Sequence, residues 1–184
     1  MTATRPATRR AGPSDLERIA QLERECFGET DGVFTRRQLA RLLRNPHARW
    51  IISTNGQAVS CWLAASNGRA RWARLYSLAV HPDLRGQGWG ERLVRAGLAW
   101  MRGEGLTLCR AEVKVDNHPA RRLYARLGFL EAGHLPDYYG PGVDGVRLVL
   151  SLPASRPTMG RSLATARQGH RTKRRPASTT KRGR

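Results

Sequence analysis

The stretch VHPDLRGQGWGERLV, residues 80–94, sets the reading of the chain. Glycines fall at every second position, Gly86, Gly88 and Gly90, directly after Arg85. Behind them Leu93, Val94, Gly97, Leu98 and Met101 recur at helical spacing, while Arg92, Arg95 and Arg102 take the other face, a period near 3.6. A glycine turn therefore opens a helix. Helix N-termini present unpaired N–H groups and the positive end of the dipole. Glycines let phosphate oxygens approach that backbone closely, and an arginine offers a planar donor suited to phosphate. On its own the turn is equally a tight bend needing left-handed residues. It is not a nucleotide P-loop, because Gly-Trp-Gly-Glu stands where Gly-Lys-Ser/Thr is required. The spacing GxGxG, met mid-chain after two helices, also fails the dinucleotide pattern.

Working outward, RARWARLYSLAVHP before the turn reads as a strand ending at Pro82. After Gly103 and Gly105, LCRAEVKV alternates strictly: Cys109, Ala111, Val113 and Val115 against Arg110, Glu112, Lys114 and Asp116. That is a half-buried strand. Asn117 and Pro119 open another helix with Leu123 and Leu127 inward, and Gly128 ends it. Strand-like runs around FLEAGH and VRLVLSL close the domain. Upstream, Ser14 with Glu17 and Thr35 with Gln38 read as capping boxes of two helices. RWIISTN and AVSCWLAAS read as a hairpin turning at Asn55-Gly56. The order is two helices, two strands, strand–turn–helix, strand–helix and two strands: an α/β domain with one βαβ crossover.

The chain has 184 residues and a formal charge of +19, unevenly spread. Residues 153–184 carry ten Lys/Arg and no Asp/Glu, residues 1–10 carry three arginines, and the body, 11–152, has 20 basic and 14 acidic residues. Three regions are expected: a disordered basic N-terminus, 1–10; one globular domain, 11–152; and a disordered basic tail, 153–184. The tail is either an inert polycation or an arm drawn to RNA or another polyanion through counterion release. No apolar run is long enough for a membrane span and none follows the N-terminus as in a secretory signal. Three scattered cysteines suggest neither disulfides nor zinc, and a cytoplasmic location is expected. The five histidines form no metal spacing.

RLYSLAVHPDLRGQGWGERLVRAGLAWM followed by AEVKVDNHPARRLYARLGF resembles the GCN5-related N-acetyltransferase (GNAT) family over about residues 11–152. Arg85, Gly88 and Gly90 match its Arg-x-x-Gly-x-Gly turn; Glu112, Asn117, Leu123, Tyr124, Gly128 and Phe129 match its second block. Within the family, the same run and a later Tyr138-Tyr139…Asp144 look most like the ribosomal-protein-alanine N-acetyltransferases. The resemblance implies an α/β (α+β) fold: a central mixed, mostly antiparallel sheet of six to seven strands flanked by about four helices. It implies acetyl-CoA as co-substrate and no metal. Its pyrophosphate would sit on Arg85, Gly86, Gln87, Gly88, Trp89 and Gly90, and its pantetheine along Leu78, Ala79 and Val80. Asn117 would contact the coenzyme, and it equally suits a plain helix N-cap.

Acetyl transfer to an amine needs one base and one acid. From the alternation alone, Glu112 reads first as an ordinary exposed carboxylate paired with Arg110 or Lys114; the resemblance instead assigns it as base, acting through water, and Tyr124 as acid. Cys109 lies on the apolar side of its strand, which argues against a cysteine nucleophile. Glu25, Glu29 and Asp31 form an acidic cluster between the first two helices, so Glu29 is a candidate for attracting a cationic acceptor. Tyr138 and Tyr139 are candidates for lining a peptide channel. The acceptor is expected to be a protein N-terminus or other protein amine, possible ribosomal substrates included. A small amine, or a non-catalytic scaffold whose basic tails bind RNA or a ribosome, is the alternative.

Overall fold

A computed structural model describes residues 7–28, 33–66 and 71–153. Seven strands form one sheet: β1 (Thr8–Arg10), β2 (Ala48–Ser53), β3 (Ala58–Ser66), β4 (Arg71–Val80), β5 (Leu108–Lys114), β6 (Leu130–Leu135) and β7 (Gly145–Ser151). Four helices accompany them: α1 (Leu16–Cys26), α2 (Arg36–Arg44), α3 (Trp89–Gly103) and α4 (His118–Arg126). The spatial order is β1-β2-β3-β4-β5-β7-β6. Every neighbouring pair is antiparallel except β4 and β5, which are parallel and joined by α3. The expected mixed, mostly antiparallel sheet with four helices is what the chain forms.

Each sheet face carries its own core. One face packs Trp62, Leu75, Cys109, Ala111 and Val113 against Leu93, Leu98 and Met101 of α3 and Tyr124 of α4. The other packs Trp50, Ile52, Val59, Cys61 and Ala79 against Ile19 and Leu22 of α1 and Leu39 of α2. Contact between α3 and the sheet is close: a Cβ on Gly97 would fall 2.0 Å from the Trp62 ring. That ring is fixed by its Nε1 donating to Ser60 Oγ at 2.9 Å. Among the described residues no helix is long and apolar enough to cross a membrane.

Two local expectations are corrected. The domain does not start at residue 11, because Thr8–Arg10 pairs with Ser53, Ile52 and Ile51 of β2. Its polar TRR sequence suits an edge strand, where charge blocks further pairing. The Ser14–Glu17 capping box does not form. Asp15 is the N-cap of α1, and its carboxylate accepts from Arg9 (2.9 and 2.6 Å) and from Gly12 N (2.9 Å). The Arg9 guanidinium holds the Asp15 carboxyl below its ordinary range. The Thr35–Gln38 box does form: Gln38 N donates to Thr35 Oγ1 at 3.2 Å and Thr35 N to Gln38 Oε1 at 2.8 Å. Residues 1–6 and 154–184, including almost all of the expected basic tail, lie outside the described residues.

Candidate active site

The site begins with a divergence in the sheet. β4 and β5 pair from Trp72↔Leu108 to Leu75↔Ala111 and no further among the described residues. Yet β4 runs on to Val80 and β5 to Lys114. On its other side β4 stays paired with β3 through Leu78, Ala79 and Val80. The edge of β4 facing β5 is thus left open beyond Leu75, and an exposed strand edge recruits extended ligands through main-chain bonds. The register slips between Cys61↔Ser77 and Trp62↔Leu75, so Tyr76 is the extra residue of a β-bulge. Bulges bend a strand and re-aim its side chains.

The glycine turn closes the end of this gap. Gly86 and Gly88 have φ of 78° and 80°, and added Cβ atoms at either would meet no protein atom within 4 Å. These two glycines serve the backbone path and put no side chain over it, which is the form an anion cradle takes. Gly90 differs. Its Cβ would press on Leu123 of α4 at 3.1 Å, so its bareness serves helix packing. Trp89 is buried in the core, and its contribution to an anion is its main-chain N–H at the first turn of α3. Arg85 is anchored by its Nε donating to Val80 O at 3.3 Å, and Gln87 by its side-chain amide donating to Asp83 O at 3.0 Å. Asn117 caps α4, accepting from Ala120 N at 3.1 Å.

Glu112 leaves β5 on the face opposite Cys109, Ala111 and Val113, as the alternation requires. Its side chain is only 5% exposed. Two arginines meet it. They come from the flanking strands. Arg147 Nε of β7 donates to Glu112 Oε1 at 3.1 Å. Arg74 Nε of β4 lies 2.7 Å from Oε2, an ion contact off hydrogen-bond alignment. Arg74 also donates through Nη2 to the Tyr138 hydroxyl at 2.6 Å. Its guanidinium lies 4.7 Å over the Tyr76 ring, which stacks on Phe34 at 5.3 Å. Tyr138 meets Tyr139 edge-on at 5.1 Å, and Lys114 Nζ lies 5.8 Å from the Tyr139 ring.

Tyr124 lies on the other face of the sheet. It is buried against Cys109 of β5 and meets Phe129 edge-on at 5.3 Å. Burial first, then proximity to Cys109 and Tyr139, pushes its phenol above the ordinary tyrosine range. Glu112 thus leaves β5 one residue past its last pairing with β4, and Tyr124 lies in the core on the opposite face of the sheet. Burial likewise pushes the Cys109 thiol up to about 12, which fits a core residue and not a nucleophile.

A model of the acetyltransferase (GNAT) family matches residues 16–129. This protein belongs to that family. It is 32% identical over 133 residues, 68% of this chain and 79% of the other, to the N-alpha-acetyltransferase RimI of Mycobacterium tuberculosis (strain ATCC 25618 / H37Rv). Two solved structures share the fold. The ribosomal-protein-S18-alanine N-acetyltransferase from Escherichia coli superposes with a TM-score of 0.71 at 21% identity, covering 85% of this chain and 100% of that one. Arabidopsis thaliana NAA60 in complex with acetyl-CoA gives 0.72 at 18% identity, covering 80% and 99%. The GNAT protein is an acetyltransferase that takes its acetyl group from acetyl-CoA.

Four residues of this GNAT site escape the sequence reading. Arg74 and Arg147 depend on strand register, which no local pattern encodes; the polar slot of VRLVLSL marks Arg147 only as facing away from the core. Tyr76 depends on the bulge. Glu23 is 2% exposed on α1 and accepts from Ser77 Oγ of β4 at 2.6 Å. Burial raises its carboxyl to about 7 against the pull of the Ser77 hydroxyl. Its spacing after Ile19 and before Cys26 sets it on the apolar stripe, a signal that was available. Of the acidic cluster, Glu25 stands 3.6 Å from His81; Glu29 and Asp31 lie outside the described residues.

Proposed function

We propose that this protein is an Nα-acetyltransferase that modifies the N-terminus of a polypeptide by direct transfer, with Glu112 as base through a water and Tyr124 as acid. Acetyl-CoA supplies the acetyl group as a thioester. The open edge of β4 at Leu78, Ala79 and Val80 offers main-chain bonds to its pantetheine, and a strand N–H preset toward the thioester carbonyl suits developing negative charge. The backbone of Gly86 to Gly90, with Arg85 and Gln87, suits its pyrophosphate. Asn117 is the remaining coenzyme contact of this reading. Glu112 takes the proton that the attacking amine must lose, and Tyr124, kept protonated by burial, delivers one to the leaving sulfur.

The observation that carries this reading is the gap that opens between β4 and β5 just at Glu112, with Tyr124 in the core on the opposite face of the sheet. A polypeptide acceptor is favoured by the aromatic wall of Tyr76, Tyr138 and Tyr139 beside Glu112, and by relatives named for N-alpha and ribosomal-protein-alanine acetylation. The test is coenzyme A release from acetyl-CoA with free N-terminal peptides, the same peptides with blocked N-termini and internal lysine, and small amines. Peptides with free N-termini are expected to lead. If small amines surpass every peptide, the acceptor assignment falls. Contact between residues 153–184 and RNA is a separate part of the proposal: deleting them should abolish salt-sensitive RNA retention and leave acetylation intact.

A further inference from the structure

The bulge at Tyr76 turns β4 over. Ahead of it, Ala73 and Leu75 belong to the α3 core; beyond it, Ala79 belongs to the α1–α2 core, while Leu78 and Val80 pack toward α3. A regular strand keeps its odd positions on one face, so the faces exchange at the bulge. Tyr76 and Ser77, neighbours in the chain, are both held from the α1–α2 side. The Tyr76 ring stacks on Phe34, which packs with that core. Ser77 Oγ donates to Glu23 Oε1 of α1 at 2.6 Å. Directly after them come Leu78, Ala79 and Val80, the open edge of β4.

Apolar patterning holds this bulge weakly. Without it Ser77 and Ala79 would turn to the α3 core and Leu78 and Val80 to the α1–α2 core, and both cores are apolar, so register is poorly specified by hydrophobicity alone. The buried carboxyl does distinguish the two arrangements. Glu23 is 2% exposed, and among the described residues Ser77 is the one hydrogen-bond donor to its carboxylate. A slip of β4 would carry the Ser77 hydroxyl away and leave a buried carboxyl unpaired, which is costly.

We infer that Glu23 and Ser77 are positioning residues for the coenzyme: their bond sets the register of the bulge, and with it which main-chain groups of Leu78, Ala79 and Val80 face the pantetheine. This rests on the reading of that edge given above. The main-chain groups of successive strand residues point to alternate edges, so a one-residue slip would turn those now facing the gap toward β3. Glu23 is too deeply covered to touch the coenzyme itself. The inference also accounts for a carboxyl on the apolar stripe of α1, where leucine would avoid the desolvation cost.

The test is calorimetric titration of acetyl-CoA, and of adenosine 3′,5′-bisphosphate, which lacks the pantetheine, into the full-length protein and three variants. Glu23→Leu combined with Ser77→Ala removes both partners of the bond and leaves neither unpaired, so it should cost little stability. It is expected to bind acetyl-CoA at least about tenfold more weakly, the worth of one or two main-chain bonds, and the bisphosphate as the parent does. Ser77→Ala alone should show the same split, with the double variant no worse, because both break one bond; should the double variant not fold, Ser77→Ala decides. Glu23→Gln keeps an acceptor for Ser77 and should restore most of the lost affinity. Parental acetyl-CoA affinity in Ser77→Ala and the double variant, or equal losses for both ligands, overturns the inference and leaves the coenzyme reading standing. A parent that binds acetyl-CoA no better than the bisphosphate overturns the reading of the β4 edge as well.

Discussion

Glu112 and Arg147 face each other directly across the β5–β7 ladder, with Nε donating to Oε1 at 3.1 Å. This pairing fixes the carboxylate's rotamer before any acceptor arrives, which is the preorganisation a positioned base requires. It also means that Arg74 and Arg147 both draw counter-charge from Glu112.

Glu112→Gln is therefore expected to lower kcat by about 10²- to 10⁴-fold, the usual worth of a general base, with acetyl-CoA affinity nearly unchanged. It should also cost on the order of 1 kcal/mol of stability, because both guanidiniums are partly solvated and need only part of their counter-charge from protein. Single-turnover rates with calorimetric titration of acetyl-CoA separate the two effects. Loss of coenzyme affinity equal to the loss of rate would count against a base.

Gly88→Ala tests the turn. The φ of 80° at Gly88 is one that an alanine adopts at a cost of about 1–2 kcal/mol. No protein atom stands in the way of the new methyl, so core packing is spared. The expected result is a fold-competent protein whose acetyl-CoA affinity falls at least tenfold. Adenosine 3′,5′-bisphosphate, which lacks the pyrophosphate, should lose much less. Equal losses for both ligands would mean that the turn does not hold the pyrophosphate.

How much of this was legible in the chain follows from range. The glycine turn, the alternation of β5 and the Asn117 cap are local patterns, and each is where the sequence puts it. Arg74 and Arg147 meet Glu112 from 38 and 35 residues away in the chain, the Tyr76 bulge comes from the register of β4 against β3, and a side chain's cross-strand partner is invisible in its own neighbourhood. The N-terminus shows the same limit in reverse. TRR has no apolar pattern to announce a strand; its pairing with β2 and the capture of Asp15 by Arg9 are tertiary events, and they override the local Ser14–Glu17 signal. Gly90 shows that a motif residue can be legible while its role is not, since it packs on Leu123.

Glu23 gives a stability prediction whose sign is fixed by its environment. Its folded-state carboxyl sits near 7 and is raised by burial, while in the unfolded chain it titrates near the ordinary value. Between about pH 4.5 and 7 the native state holds a proton that the unfolded state has lost, so stability falls as pH rises through this window and is level above it. Replacing Glu23 with Gln removes the titration. Relative to the parent, the variant should gain up to about 3 kcal/mol from pH 4.5 to 8. Urea unfolding at both pH values checks it, and a pH-independent difference would refute a buried, proton-retaining Glu23.

Tyr124→Phe separates chemistry from packing at the acid. The ring lies in the core against Phe129 and Cys109, and phenylalanine keeps that volume, so unfolding free energy should change by less than about 1.5 kcal/mol. In the proposed reaction the hydroxyl protonates the leaving sulfur, so kcat should fall by about 10²-fold. The pH profile carries the sharper test. Burial raises the Tyr124 phenol, so it stays protonated through neutral and mildly alkaline pH, and the parent enzyme should show no loss of kcat there from this group. If kcat declines with a midpoint near pH 8 to 9 in the parent and that limb vanishes in Tyr124→Phe, the phenol titrates too low to be the buried acid described here. A variant with parental kcat would move the proton donor elsewhere, because no other change at this position leaves the packing alone while deleting only the O–H.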